Sequence, residues 1–298
     1  MRTYSIPQRA IKRLINHKRL DFLSDKLFLR IFYWAETGEI LHLKHPRNFN
    51  EKTQYLKIYD RNPLYTKLVD KYEAKEFAAS VMGEEAIFKT LGVWDKFEDI
   101  DFDLLPNEFV LKCTHDSGGL VICKNKAELD MEETKRKIEE SLSNNYFFHG
   151  REWPYKNVPH RIIAEEYMVD ESGYELKDYK VYVFGGKARY IHVDYDRFAD
   201  HKRNFYDTDW NYVPFTTLYP TDKTHVIEKP ACLDEMLQMA EALAVKADTP
   251  AFVRVDFYVI KNKVYFGEMT FYHGAGIEDF MPPEYNKVLG DLIDIKDV

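Results

Sequence analysis

The sequence predicts an α+β fold with a helical opening and antiparallel hairpins grouped in two places. Three observations predict it. Apolar residues recur at helical spacing over residues 1–36, first Ile11, Leu14 and Ile15, then Leu27, Phe28, Ile31 and Phe32. From residue 109 the period changes to short apolar runs broken by turn residues. No internal repeat and no linker interrupts the 298 residues.

The elements follow in order. A second helical stretch begins near Asn50-Glu51-Lys52 and runs towards Tyr59, and Pro63 opens a third that carries Leu68, Val69 and Tyr72. Residues 109–114 (FVLKCT) read as a strand, 115–119 (HDSGG) as a glycine turn and 120–124 (LVICK) as the returning strand. A charged helix covers about 127–143, and 161–168 (RIIAEEYM) is a further strand with its exit. Residues 178–184 and 188–195 form a hairpin around a Gly-Gly-Lys turn. The Leu-, Met- and Ala-rich segment 232–247 is a helix whose apolar stripe faces a core. Residues 252–260 and 263–270 form the last hairpin, closed by Lys261-Asn262, and Pro282-Pro283 precede a short final helix.

Composition excludes several classes. The chain is 45% hydrophobic and 31% charged, enough to bury a core and unlike a disordered chain. Its net charge of −8 argues against a nucleic-acid partner while leaving room for local basic pockets. Cys113, Cys123 and Cys232 are odd in number and lack CxxC spacing, which fits a reducing cytosol better than a disulfide framework. The N-terminus lacks the apolar core of a signal peptide, and no run of about 18 apolar residues predicts a membrane span. The opening is nevertheless basic: Arg2, Arg9, Lys12, Arg13, Lys18, Arg19, Lys26 and Arg30 face only Asp21 and Asp25. Two readings are open, weak attachment to an anionic membrane surface or a solvated helix face.

Four segments can carry chemistry. Lys112 ends an apolar strand just before Ser117, Gly118 and Gly119, and adjacent glycines let backbone N–H groups approach phosphate oxygens. An ordinary surface turn is the other reading, and no Walker loop is present. Asp256 and Glu268 lie on two strands of one hairpin among apolar residues, where a carboxylate is costly unless paired or metal-bound. A divalent cation such as Mg²⁺ resolves their repulsion. Arg254 shares the parity of Asp256, so an ion pair of Arg254 with either acid is the other reading. Glu165 and Glu166 end a strand followed by Tyr167 and Met168, an exit whose backbone can hold an adenine edge or can simply be a charged strand end. Asp178 and Lys180 alternate onto one face with Tyr182, suited to a ribose hydroxyl and a phosphate or to a cross-strand salt bridge.

Taken in order, these segments resemble the TupA-like (teichuronopeptide-biosynthesis) family of the ATP-grasp superfamily. The likeness runs from residues 49–52 (FNEK) through 69–75 (VDKYEAK), 105–119, 162–168, 178–187 and 194–198 (DYDRF) to 254–271. It implies an ATP-grasp fold with two lobes sandwiching ATP: a helical region at 1–70, a small lobe at 71–160 and a large lobe at 161–298. It further implies that Lys71 lies near the α-phosphate, that Lys112 reaches adenine and phosphates, and that Ser117, Gly118 and Gly119 cover them. Glu165, Glu166, Tyr167 and Met168 are implied as the adenine hinge and Asp178 as the ribose acid. Arg254 is implied at the transferred phosphate, with Lys180 beside it. Asp256 and Glu268 are implied as Mg²⁺ ligands, and Thr270 stands where many relatives place asparagine. Arg197, with Lys202 and Arg203, is a candidate for receiving an anionic substrate.

The activity implied is ATP-dependent carboxylate–amine ligation through an acyl phosphate, with a uronate or amino-acid carboxylate as acceptor in cell-surface polysaccharide synthesis. Three alternatives stand beside it. A sugar kinase needs the same MgATP site. A glycosyltransferase can use a DxD pattern, present at Asp194-Tyr195-Asp196 and Asp101-Phe102-Asp103. A non-catalytic module can use some of the 15% aromatic residues as sugar platforms.

Overall fold

Ser5 opens the first helix through a reciprocal cap: its hydroxyl accepts from Gln8 N–H while its own N–H donates to the Gln8 side chain at 2.9 Å. The computed structural model describes residues 2–173, 175–196 and 200–296. Helix α1 (Ile6–Asn16) packs on α2 (Asp25–Thr37), which ends on Gly38 in the left-handed region at φ 78°. Phe28, Leu29, Phe32 and Tyr33 give this pair a small core of its own. Two of the basic side chains are structural ties. Arg2 donates to Ile277 O and Glu278 O at 2.8 Å each, and Lys12 pairs with Glu36 at 2.7 Å.

Asn48 caps α3 (Phe49–Tyr59) by accepting from Glu51 N–H at 2.9 Å. The third stretch is divided into α4 (Leu64–Leu68) and α5 (Glu73–Met82). Then follow β1 (Thr90–Trp94), β2 (Phe109–Cys113), β3 (Leu120–Cys123), α6 (Met131–Leu142), α7 (Phe147–Gly150) and β4 (Ile162–Glu166). The second half holds β5 (Asp178–Phe184), β6 (Lys187–Tyr195), β7 (Lys202–Asp207), β8 (Tyr212–Val213), α8 (Leu233–Lys246), β9 (Phe252–Ile260), β10 (Lys263–Thr270) and α9 (Glu284–Asp291).

The strands form two antiparallel sheets. The small one has the order β1-β4-β2-β3 and is backed by α6 through Ile138. The large one has the order β10-β9-β5-β6-β7-β8. Its two faces are chemically unlike. Val181, Val183, Val253 and Val255 are buried in the cluster that contains Leu233, Met236, Ala240 and Leu243 of α8. The alternate positions carry Lys180, Tyr182, His192, Asp194, Arg254 and Asp256, all buried.

The expected lobe boundary at residue 160 is displaced. β4 pairs with β1 and β2, Ala164 standing opposite Gly92 and Leu111, so the small sheet continues to Glu166. A strand's local pattern says nothing about which sheet it joins. No helix of the described residues is long and apolar enough to cross a membrane.

Helix α3 clamps the turn that leaves β10. Asn50 exchanges hydrogen bonds with the backbone of Glu278, and Gln54 donates to Ala275 O and Gly276 O at 2.8 Å each. Lys57, one turn on, donates to Ala275 O at 2.8 Å and to Gly150 O at 2.7 Å. Gly276 makes this approach possible: at φ 63°, a Cβ there would sit 2.6 Å from the Gln54 amide nitrogen.

Candidate active site

A cleft lies between the two sheets. It contains a cavity of about 320 Å³ with apolar walls: Val110 from β2, Leu120 and Ile122 from β3, and Tyr258 from β9. Tyr167 and Met168, at the exit of β4, close one side. A flat aromatic group fits such a slot, with the strand exit beside it.

Lys112 crosses the floor. Its ammonium lies 2.5 Å from Glu165 Oε2, and Lys75 of α5 holds Glu165 Oε1 at 2.6 Å. Burial pushes the Glu165 carboxyl up, but the two lysines outweigh it and hold the group at about 2. Two cations on one carboxylate leave a net positive floor, as an anionic ligand requires.

The glycine turn is built from close approaches. Lys71 donates to Cys113 O at 3.2 Å and to Asp116 O, and the Asp116 carboxylate accepts from Ser141 Oγ of α6. A Cβ on Gly119 would come within 2.3 Å of Ser141 Oγ and 2.7 Å of Cys113 Sγ. Gly119 is therefore required by packing, whereas a Cβ on Gly118 would meet Asp116 Oδ2 at an ordinary contact distance of 3.6 Å. Ser117 and Gly118 line a second cavity, of about 440 Å³, shared with the end of α1 and residues 144–149.

The polar face of the large sheet carries the ion cluster. Arg254 Nε and Nη2 bind Asp256 at 2.6 and 2.7 Å, a bidentate pair. Nη2 also reaches Glu268 Oε1 at 3.3 Å and Thr270 Oγ1 at 3.0 Å, and Nη1 meets His273 Nδ1 at 2.6 Å. Lys180 holds Asp256 at 2.5 Å and Asp178 at 3.4 Å. Burial raises the Asp256 carboxyl, but Arg254 and Lys180 bring it down to about 2. Asp256 stands directly opposite Glu268 in the ladder, and Arg254 opposite Thr270, because a bulge at Gly267 shifts the register.

The chain matches the model of the TupA-like ATPgrasp family over residues 51–294. It belongs to that family. No curated protein matches the chain. Among solved structures, D-alanine–D-alanine ligase from Bacillus anthracis, complexed with ATP, is 18% identical, covering 76% of this chain and 64% of that one with a TM-score of 0.43. N5-carboxyaminoimidazole synthetase from Staphylococcus aureus is 15% identical over 70% of this chain and 46% of that one, TM-score 0.42. Phosphoribosylamine–glycine ligase from Thermotoga maritima is 12% identical over 70% and 48%, TM-score 0.43. The chain thus spans 46–64% of the length of these structures.

Two expectations for this ATP-grasp chain are corrected. Asp178 does not line the cleft cavity: it starts β5 on the same face as Lys180, which draws it into the buried ion cluster. Glu175, three residues earlier, does line the cavity, together with Glu165 and Glu166. Arg203 does not wait for an anion, since it is buried and grips Asp194 at 2.7 and 3.0 Å. That pair also occupies the first acid of the Asp194-Tyr195-Asp196 pattern. Asp101 of the second such pattern caps a turn through Asp103 N–H. Arg197 lies outside the described residues.

For a divalent cation the donor chemistry fits. Asp256, Glu268 and Thr270 are hard oxygen donors side by side, and the Glu268 side chain is 44% exposed. Among the described residues no three His, Cys, Asp or Glu side chains form a metal-binding group. Water and phosphate oxygens would therefore complete a cation's shell.

Sequence reasoning missed Lys75, although it follows Lys71 at helical spacing. It also missed the chain Arg254–His273–Tyr182–His192, in which the Tyr182 hydroxyl meets His273 Nε2 at 2.8 Å and His192 Nδ1 at 2.9 Å. Residues so far apart in sequence leave no local signal.

Proposed function

We propose that this chain is an ATP-dependent carboxylate–amine ligase. One observation carries the reading: Asp256 and Glu268 stand face to face on one hairpin with Arg254 between them and Lys180 alongside. The base of ATP occupies the slot beside Tyr167 and Met168, Lys112 meets the phosphates, and the γ-phosphate lies towards Arg254. Mg²⁺, held by Asp256, Glu268 and Thr270, neutralises phosphate charge when bound.

An acceptor carboxylate oxygen attacks the γ-phosphorus, the bond to the bridging oxygen breaks, and ADP leaves. Phosphoryl transfer of this kind depends on alignment and charge neutralisation, which Arg254 and Lys180 supply. An amine nitrogen then attacks the acyl carbon of the acyl phosphate, inorganic phosphate departs, and the amine loses a proton. No enzyme nucleophile is needed, and among the described residues the buried thiol of Cys113 meets the Ile138 carbonyl and no base.

The acceptor is a uronate or other carboxylate of cell-surface polysaccharide synthesis, and the amine an amino acid or related compound. The protein works in the cytoplasm, and its exposed basic residues Arg13, Arg19, Lys26 and Arg30 allow weak contact with an anionic inner membrane face. The test is release of ADP and phosphate from MgATP across a panel of uronates and amines. Release that requires both partners is expected. Phosphate retained on a sugar product would make the protein a kinase instead.

A further inference from the structure

The cavity of about 440 Å³ beyond the glycine turn is built by two parts of the chain far apart in sequence. Ile15, Asn16 and Lys18 come from the end of α1, ahead of the stretch shared with the family; Ser117 and residues 144–149 complete the wall. We propose that this cavity binds the sugar portion of the acceptor, a polyhydroxylated ring bearing one carboxylate. Calling the ligand the acceptor rests on the ligase reading; the class of ligand rests on the cavity.

Lys18 is the first argument. Helix α1 ends with Lys18 N–H donating to Ile15 O and Arg19 N–H to Leu14 O, both at 2.9 Å, the double closure usually completed by a glycine. Here the left-handed position, φ 58°, is filled by lysine. A side chain disfavours that conformation, which is why glycine usually fills it. Such strain is retained where a side chain is needed, and this ammonium stands on the cavity wall. One of its three N–H groups goes to Asn144 Oδ1 at 3.0 Å, which leaves two for a carboxylate.

The remaining wall suits hydroxyls. The ring nitrogens of His149 make no hydrogen bond among the described residues. When neutral, that imidazole offers one donor and one acceptor. Asn16 and Ser117 add further polar groups, while Tyr146 and Phe148 present aromatic surface to a ring face. The Asp116 carboxylate on the same wall disfavours a densely charged anion such as free phosphate. The glycine turn fixes the orientation. Ser117 and Gly118 line this cavity, while Lys112 and Leu120, on the two strands that the turn joins, line the slot of the cleft, so the two cavities lie on either side of one turn.

The experiment compares the full-length protein with Lys18→Gly by calorimetric titration with D-glucuronate, D-glucose, L-glutamate and a non-hydrolysable MgATP analogue. Wild type is expected to bind glucuronate at least tenfold more tightly than glucose or glutamate. Lys18→Gly is expected to lose at least tenfold in glucuronate affinity, to keep its nucleotide affinity and to melt no lower than wild type, because glycine relieves the strained position. Equal glucuronate binding by the two proteins, no glucuronate binding by wild type, or a preference for glutamate overturns the proposal. The two readings fail separately. ADP release that needs a carboxylate, with an unchanged KM in Lys18→Gly, overturns the sugar site and leaves the ligase. Lys18-dependent glucuronate binding without any carboxylate-dependent ADP release overturns the ligase and leaves the site.

Discussion

Asp256 and Glu268 face each other across the β9–β10 ladder and share Arg254, yet one side chain is 2% exposed and the other 44%. Amide substitution should separate them. Asp256→Asn strands two buried cations and is expected to cost about 3–5 kcal/mol of stability along with activity. Glu268→Gln is expected to cost under about 1 kcal/mol, as for an exposed pair, while ADP release falls by orders of magnitude. Melting curves and turnover with and without Mg²⁺ check this. Normal turnover per folded molecule in Glu268→Gln would place the cation elsewhere.

Lys112 shares Glu165 with Lys75, so its removal does not leave the carboxylate alone. Lys112→Ala is expected to fold and to weaken ATP binding by about ten- to a hundredfold, the equivalent of roughly 1.5–3 kcal/mol for a hydrogen bond to a charged group. Titration with a non-hydrolysable analogue reads it directly, and unchanged affinity would remove Lys112 from the nucleotide site.

The adjacent glycines should respond oppositely to the same methyl group. Gly119→Ala drives a Cβ into Ser141 and Cys113 and is expected to destabilise by about 1–3 kcal/mol. Gly118→Ala meets only Asp116 Oδ2 at 3.6 Å and is expected to melt like wild type. Equal melting temperatures for the two variants would contradict the packing of the turn on α6.

His192 and His273 make the large lobe sensitive to acid. Burial and the Arg203 charge pull the His192 pKa down to about 3, against the attraction of Asp194, and burial with Arg254 lowers His273 as well. The unfolded chain therefore binds protons that the folded one refuses. Stability from His192 is complete above about pH 6.5 and is lost towards pH 3, with a slope of up to about 1.4 kcal/mol per pH unit, and His273 acts in the same direction. Asp60 and Glu152, whose carboxyls burial pushes up, act in the opposite sense over part of this range. The comparison to make is thus between slopes. Between pH 6.5 and 5, His192→Gln should lose stability less steeply than wild type, as read by chemical denaturation, and parallel slopes would mean that His192 is not held neutral.

Nucleotide binding is expected to draw the two sheets together, since the cavity takes walls from both. Small-angle scattering should show a smaller radius of gyration with the MgATP analogue. An unchanged curve at saturation would mean that the cleft is already closed.

Legibility followed the range of the interactions. The hairpins at 178–195 and 252–270 announced themselves through period-two runs and turn residues; alternation put Arg254 and Asp256 on one face and Glu268 on the adjacent strand, but the bulge at Gly267 that sets Glu268 opposite Asp256 was not legible. β1 gave no such signal: its five residues are all half-buried and Gly92 interrupts them. β7 and β8 were also missed, lying in a polar stretch whose burial depends on pairing with β6. The identity of Glu165 was visible, but its bond to Lys75 was not, because it joins α5 to β4 across 90 residues. Alternation put Asp178 on the face of Lys180, but its place off the cavity wall was not legible, because that depends on how β5 enters the large sheet.

Strand β3 forms one rim of the small sheet, and Leu120 and Ile122 on it are 39% and 37% exposed where they border the cleft. A strand with an unpaired backbone rim and bare apolar side chains is a template for another chain's strand. A base seated in the slot, as proposed, would cover those side chains. The empty protein should accordingly be the stickier form, turning cloudy sooner on concentration or warming than the same protein kept with nucleotide, so that the ligand serves in the test tube as a solubiliser as well as a reactant.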